Sequence, residues 1–222
     1  MGRKLKLLLG MPKTIYFNFR CFDFKTAIKL PILLSHDVKL GKLCKGVIQL
    51  NNFSSTGGYH ITFGLGGSEH VPKKSPSYFS FGPRARIIFN GRAIFGEGTR
   101  FRCDYGIFEV GKNFSASKNC CINCEYNMKI GDNVLLGWDI YLRDTDGHDV
   151  FENNRLKASQ KEVTIGNHVW IGSFAHLLKG AAIQDDSVVA WRSCVLKAFD
   201  EPNVLIGGYP AKILKRNFDW GE

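Results

Sequence analysis

Aliphatic residues fall six apart along the second half of the chain, at Ile165, Ile171, Leu177, Ile183, Val189 and Val195. Four places after each of the first five stands a small or β-branched residue: Val169, Ala175, Ala181, Ser187 and Ser193. Period six matches neither a helix nor one long strand. Residues two apart, such as Val169 and Ile171, share one face of a strand. The rest of each hexad must then turn, so a hexad is one short strand and one bend. A single hexad cannot bury its apolar face, whereas stacked coils can. The pattern therefore predicts a parallel β-helix filled by aliphatic and small side chains. The register recurs as Ile130-Gly131, Leu136-Gly137 and Leu142. It returns with slips as Val110-Gly111, Ala116 and Ile122, and loosely as Phe95-Gly96 and Phe101. No helical pattern competes with it.

Residues 1–85 carry weaker signals. Val38-Lys39-Leu40, Gly46-Val47-Ile48-Gln49-Leu50 and Tyr59-His60-Ile61-Thr62-Phe63 alternate like half-buried strands, broken by Gly57-Gly58 and Gly66-Gly67. They predict irregular opening coils plus a cap over 1–85, a regular coil over 86–216, and a tail at 217–222.

The register also predicts where it fails. An inward aliphatic residue is due at 148, but the chain offers Asp144-Thr145-Asp146-Gly147-His148-Asp149 and the repeat stops until Val163. The polar stretch 149–162, with Asn153-Asn154, reads as a loop thrown out of the coil wall, and loops on rigid scaffolds often carry function. His148 at its root has carboxylates on both sides, Asp146 and Asp149 nearest. It is either a general base oriented by one of them or a turn histidine paired with one.

Composition adds little to the fold but restricts the setting. At 222 residues, 44% hydrophobic and 23% charged, the chain suits one globular unit. The absence of a long apolar run or a leader-like start points to a cytoplasmic protein with its seven cysteines reduced. Cys121-x-x-Cys124 lacks a second ligand pair, so both read as packed wall residues. Charge is concentrated at one end. Residues 1–50 hold ten Lys/Arg against Asp23 and Asp37, which is +8 of the net +10. These cations interleave with Ile15, Tyr16, Phe17, Phe19, Phe22 and Phe24. Such a segment either meets anionic lipid on the inner face of the membrane or caps the coil, and both readings stay open.

The stretch Ile165-Gly166-Asn167-His168-Val169-Trp170-Ile171-Gly172-Ser173 resembles the hallmark of hexapeptide-repeat acyltransferases. Gly207-Gly208-Tyr209-Pro210-Ala211-Lys212 is similar to the family's closing segment. The match spans roughly 86–216. The Asp-x-Asp-x-His arrangement and Tyr16-Phe17-Asn18-Phe19 resemble acetyltransferases of surface polysaccharide synthesis.

The resemblance implies a left-handed parallel β-helix, all-β, of about three hexads per coil, assembling as a homotrimer. It implies direct transfer of an acetyl group from acetyl-CoA to a sugar hydroxyl, with no metal and no acylated cysteine. His148 takes the base role, with Asp146 and Asp149 in support. By the same resemblance Trp170, Gly172 and Ser173 lie beside the coenzyme, together with Ala190, Trp191 and Lys197. The closing Lys212 and Lys215 meet its phosphates. Asn119, Trp138 and Asp139 are the acceptor candidates. Where the family commonly has small residues, this chain has Ala190-Trp191-Arg192-Ser193, which puts the coenzyme path in question.

Competing functions are transfer to a sugar-nucleotide amine, a non-catalytic scaffold, and a γ-class carbonic anhydrase-like zinc site using His148, His168 and His176. The histidine spacing does not match that class. The basic N-terminus shows no recognised nucleic-acid motif, so no nucleic-acid partner is expected.

Overall fold

The structure, a computed structural model, describes residues 2–53 and 60–221. The expected glycine break at Gly57-Gly58 and the start of the strand at Tyr59 lie outside the described residues. Three parallel sheets form the sides of a β-helix. Among the described residues the first has nine strands, from Ile32–Leu34 to Ala211–Arg216. The second runs from Lys39–Leu40 to Cys194–Val195 and the third from Ile48–Leu50 to Ala198–Phe199, with seven strands each. Ile165 aligns with Ile183, Ile171 with Val189 and Leu177 with Val195, so one coil takes three hexads.

All six aliphatic positions and their five small or β-branched companions are buried. The bends repeat as regularly as the core. His168, Phe174, Gly180, Asp186 and Arg192 stand six apart with φ of 51°, 62°, 78°, 55° and 54°. Each bend thus needs one left-handed residue, a conformation that favours Gly, Asn and Asp.

The coil starts earlier than 86. Ile32–Leu34, Lys39–Leu40 and Ile48–Leu50 already pair with the next coil in parallel register. Their core is aromatic: Phe63 stacks on Phe79 at 4.4 Å and on Phe95 at 5.0 Å, and Phe101 meets Phe108 at 4.9 Å. Phenylalanine occupies positions that aliphatic residues hold later, which blurs the six-residue pattern without altering the coil.

The cap is a helix, α1 (Arg3–Cys21), followed by the short α2 (Phe24–Ala27). In α1 the buried residues are Gly10, Thr14, Phe17, Asn18 and Cys21, which share one helical face. That face closes the outer edge of the first sheet. Thr14 Oγ1 accepts from Leu34 N–H (2.9 Å). Asn18 accepts from Ile32 N–H (3.2 Å) and donates to Ile32 O (2.7 Å). The helix thereby satisfies an edge strand that would otherwise be open to pairing.

The excursion is a hairpin, Val150–Glu152 antiparallel to Arg155–Lys157. Asn153 and Asn154 both have positive φ (50° and 59°), as a two-residue turn of this type requires. At the other end the tail folds back: Phe218 N–H donates to Asn203 O, and Trp220 stacks on His168 at 4.7 Å. Cys121 and Cys124 sit on opposite faces of one strand, with Cys124 buried. Among the described residues no helix is long and apolar enough to cross a membrane.

Candidate active site

The bend joining the first sheet to the second is built the same way in successive coils. Asp139 N–H donates to Lys118 O, Phe174 N–H to Trp138 O, and Arg192 N–H to Ser173 O. Lys118, Trp138, Ser173 and Trp191 therefore form one column along this corner. Asn119, Asp139, Phe174 and Arg192 form the next, all with positive φ. The corner is tight. A Cβ on Gly137 would meet Ser173 N at 2.7 Å, and one on Gly172 would meet Val189 O at 2.7 Å. Ser173 is buried, and its Oγ accepts from Trp138 N–H (3.2 Å). Gly172 and Phe174 donate their N–H groups to carbonyls of adjacent coils. Ser173 N–H is not part of that ladder.

A cleft of about 500 Å³ opens beside this corner. Its floor is the outward row of the first sheet, Leu135, Trp170, Val188 and Leu205, which are partners in register. Gly137, Trp138, Gly172, Ser173, Ala190 and Trp191 form one wall, and Phe218 of the tail another. Aromatic rings crowd the mouth: Trp191 packs on Trp138 (5.5 Å) and Phe174 (4.9 Å). The outward Trp170 is 39% exposed and partly covered by Trp220 at 6.0 Å.

The acceptor candidates are held by a loop the sequence did not single out. Asn119 Oδ1 accepts from Lys74 N–H (2.9 Å) and its amide donates to Pro72 O (3.1 Å). Lys74 Nζ pairs with Asp139 (2.6 Å) and lies 5.5 Å from the centre of the Phe174 ring. Ser68 of the same loop lines the cleft. The signal for this loop was present as Gly66-Gly67 and Lys73-Lys74, but nothing in their spacing pointed to the corner 45 or more residues later.

His148 lies elsewhere, past the second-sheet strand Tyr141–Arg143, at the corner leading to the third sheet. It is exposed, and among the described residues its side chain has no hydrogen-bond or ion-pair partner. The expected support from Asp146 is not formed within the chain. Asp146 pairs with Lys179 instead, because the bend that turns the hairpin outward also lays it against the next coil. Asp149 is exposed at the hairpin base. Asp144 is buried and accepts from the N–H groups of Glu125 (2.9 Å) and Tyr126 (2.8 Å), a brace for the wall. Burial pushes its carboxyl above the usual range, although those two hydrogen bonds oppose the shift.

The remaining candidates divide between the two corners. Lys212 and Lys215 stand on the last strand of the first sheet, opposite Gly207 and the cleft residue Leu205. Lys197 follows Cys194–Val195 at the second-to-third corner, the side on which His148 lies, with its ammonium 5.5 Å from the centre of the Phe199 ring. The histidines of the zinc alternative are dispersed. His168 precedes the first-sheet strand Trp170–Ile171 and pairs with Asp186 (2.9 Å), and His176 is on the second sheet. Cys120, a conceivable nucleophile, is pushed up to about 12 by burial, and its thiol donates to Gly137 O (3.2 Å). That leaves it a poor thiolate source.

Searched against protein families, the chain matches no family model. Over 108 residues it is 38% identical to the galactoside O-acetyltransferase of Escherichia coli (strain K12), covering 48% of this chain and 52% of that protein. It is 28% identical over 209 residues to an uncharacterized 24.8 kDa protein in the cps region of Klebsiella pneumoniae, covering 91% of this chain and 86% of that one. Among solved structures the polySia-specific acetyltransferase NeuO aligns over 84% of this chain and 89% of its own. Its TM-score is 0.53 at 20% identity, a likeness of fold. The chain spans about half the length of the curated relatives it matches.

Proposed function

We propose that the chain is an acetyltransferase of the hexapeptide-repeat kind, as its 38% identity over 108 residues to a galactoside O-acetyltransferase supports, and that it transfers an acetyl group from acetyl-CoA to a saccharide hydroxyl, in sites shared between the subunits of a homotrimer. The observation that carries this reading is the division of the candidate residues. The cleft with Ser173 lies on the first sheet and its corner, while His148 and Lys197 lie on the corner between the second and third sheets. Neither half suffices alone. Cyclic symmetry brings the His148 corner of one subunit to the cleft of the next, and the exposed, unpartnered imidazole then gains a setting that its own chain does not supply.

The cleft suits the donor. Its Leu135, Val188 and Leu205 floor is apolar, as a pantetheine arm requires. Lys215, paired with Leu205 and 5.8 Å from the centre of the Phe218 ring, and Lys212 on the same strand are the cations this reading assigns to the phosphates. Trp191, 53% exposed, lines the cleft where the resembled family commonly has a small residue, and its ring would bound the space for the arm.

In the transfer, His148 takes the proton of the acceptor hydroxyl while the oxygen attacks the thioester carbonyl. Ser173 N–H, outside the coil-to-coil ladder, is the donor this reading assigns to the resulting oxyanion. The carbon–sulfur bond then breaks, and the thiolate leaves with the proton that His148 returns. Asp139, Asn119 and Trp138 border the same corner and form the acceptor side, with Lys74 securing the first two.

Two measurements test the function. Acetyl-CoA should raise the melting temperature by mass action, as any ligand of the folded state does. Free thiol should then appear when galactosides, maltose or a sialic acid polymer is added with acetyl-CoA. Transfer only to amino-sugar nucleotides would reassign the acceptor to an amine. No acetyl-CoA stabilisation and no thiol release with any acceptor would leave the transferase reading without support.

A further inference from the structure

Among the described residues, nothing covers the face of α1 turned away from the coil. Leu5, Leu8, Leu9, Ile15, Tyr16 and Phe19 are between 45% and 67% exposed. Their spacing places them on one stripe of the helix, about 21 Å long at the α-helical rise. Phe24 (71% exposed) and Ile28 (60%) extend it, and Phe19 meets Phe24 edge-on at 5.9 Å. A patch of this size is unusual on a free surface and marks an interaction site.

The rotation of the helix is fixed, so this exposure is built in. Thr14 and Asn18 are bonded to the backbone of Ile32–Leu34. Lys13 Nζ donates to the carbonyls of His36 (2.6 Å) and Val38 (2.5 Å), and Lys6 pairs with Glu97 at 2.5 Å. Gly10 lies against the Leu34 carbonyl, where a Cβ would come within 2.1 Å. No roll about the helix axis could bury the stripe without breaking these bonds.

The charge around the stripe identifies what covers it. Arg3, Lys4, Arg20, Lys25 and Lys29 are all exposed, and within 1–36 the acidic residue is Asp23 alone. An apolar stripe edged by cations matches a bilayer with anionic head groups, in which the helix lies flat at the interface. We propose that the outer face of α1, with α2, docks this protein reversibly on anionic membranes. The buried face caps the coil, so the two roles open in the sequence are divided between the two sides of one helix. In the proposed trimer rotational symmetry sets three such caps at one height, and a single bilayer meets all three. The docking itself does not depend on the transferase reading.

The test is co-sedimentation of the full chain with phosphatidylcholine vesicles, with and without phosphatidylglycerol. Wild-type protein should sediment with phosphatidylglycerol vesicles at low salt, several-fold less in high salt, and weakly with phosphatidylcholine alone. A stripe variant, Leu8→Ser with Tyr16→Ser, and a charge variant, Arg20→Glu with Lys25→Glu, should each bind at least tenfold more weakly. Both should keep the wild-type circular dichroism and thiol release, since neither touches the cleft or His148. Failure of wild-type protein to bind anionic vesicles at low salt overturns the proposal. So does binding that neither variant weakens. Concentration-dependent self-association lost in the stripe variant, without vesicle binding, would make a second copy the occupant and equally overturn it.

Discussion

Arg192 holds φ at 54° in the bend beside the cleft, a conformation that costs a side chain with a Cβ. Its equivalents are Asn119, Asp139 and Phe174, so two of the four corner residues are types that tolerate the left-handed region and two are not. Backbone strain of this kind gathers where function constrains the side chain. Arg192→Asn should raise stability by about 1 kcal/mol, read as a higher urea midpoint with an unchanged slope. A drop instead would mean that the arginine side chain makes a contact worth more than the strain. Gly137 is the opposite case: Gly137→Ala would press a methyl on Ser173 N and should destabilise by about 1–3 kcal/mol, with loss of transfer. His148→Ala should lower the transfer rate by ~10²–10⁴ while leaving acetyl-CoA stabilisation intact, because the histidine is exposed and holds nothing in its own chain. Of these residues, His148 was legible as the point where the hexad register stops. Phe174 and Lys74 were not, because the first sits at an ordinary bend position and the second reaches the corner only through the third dimension.

At the scale of elements, the regular coils were legible because one small set of requirements recurs every six residues. The cap was not. Ile15-Tyr16-Phe17-Asn18-Phe19-Arg20 alternates enough to obscure a helical repeat, yet Gly10, Thr14, Phe17, Asn18 and Cys21 form a helical face. What selects the helix is the edge strand Ile32–Leu34, whose open N–H and C=O groups the Asn18 and Thr14 side chains satisfy. Asn18→Ala should therefore cost about 2–3 kcal/mol and loosen α1, seen as faster amide exchange at Ile32 and Leu34. A second link ties the first coil to the loop over the cleft. Asp37 pairs with Lys73 and accepts from Ser35 (2.7 Å). Burial works to raise its carboxyl, but the hydrogen bonds from Lys73 and Ser35 outweigh it and hold it below its ordinary value. A carboxyl lowered in this way adds stability above its unfolded pKa of about 3.9. That stability is lost as pH falls through the lower folded value. The difference in urea midpoint between wild type and Asp37→Asn should be full near neutrality and vanish in acid. A difference independent of pH would contradict the pairing.

At the scale of the whole molecule, the sequence indicated the coil and both halves of the chemistry, but not that the halves stand on different corners. Residue spacing along the chain says how far apart two groups are in the repeat. It does not say which corner of which subunit they would face in the proposed trimer. The shared site is therefore the central claim, and subunit mixing tests it most directly. His148→Ala disables one corner and Leu135→Glu, a carboxylate in the apolar cleft, disables the other. Each alone should be inactive, with light scattering showing a trimer. Dissociated together in equal amounts and reassembled, they should form mixed trimers in which one junction joins an intact cleft to an intact histidine, restoring about a quarter of wild-type activity for random assembly. Mixed trimers that form and remain inactive would show that cleft and histidine must belong to one chain, and would contradict the account.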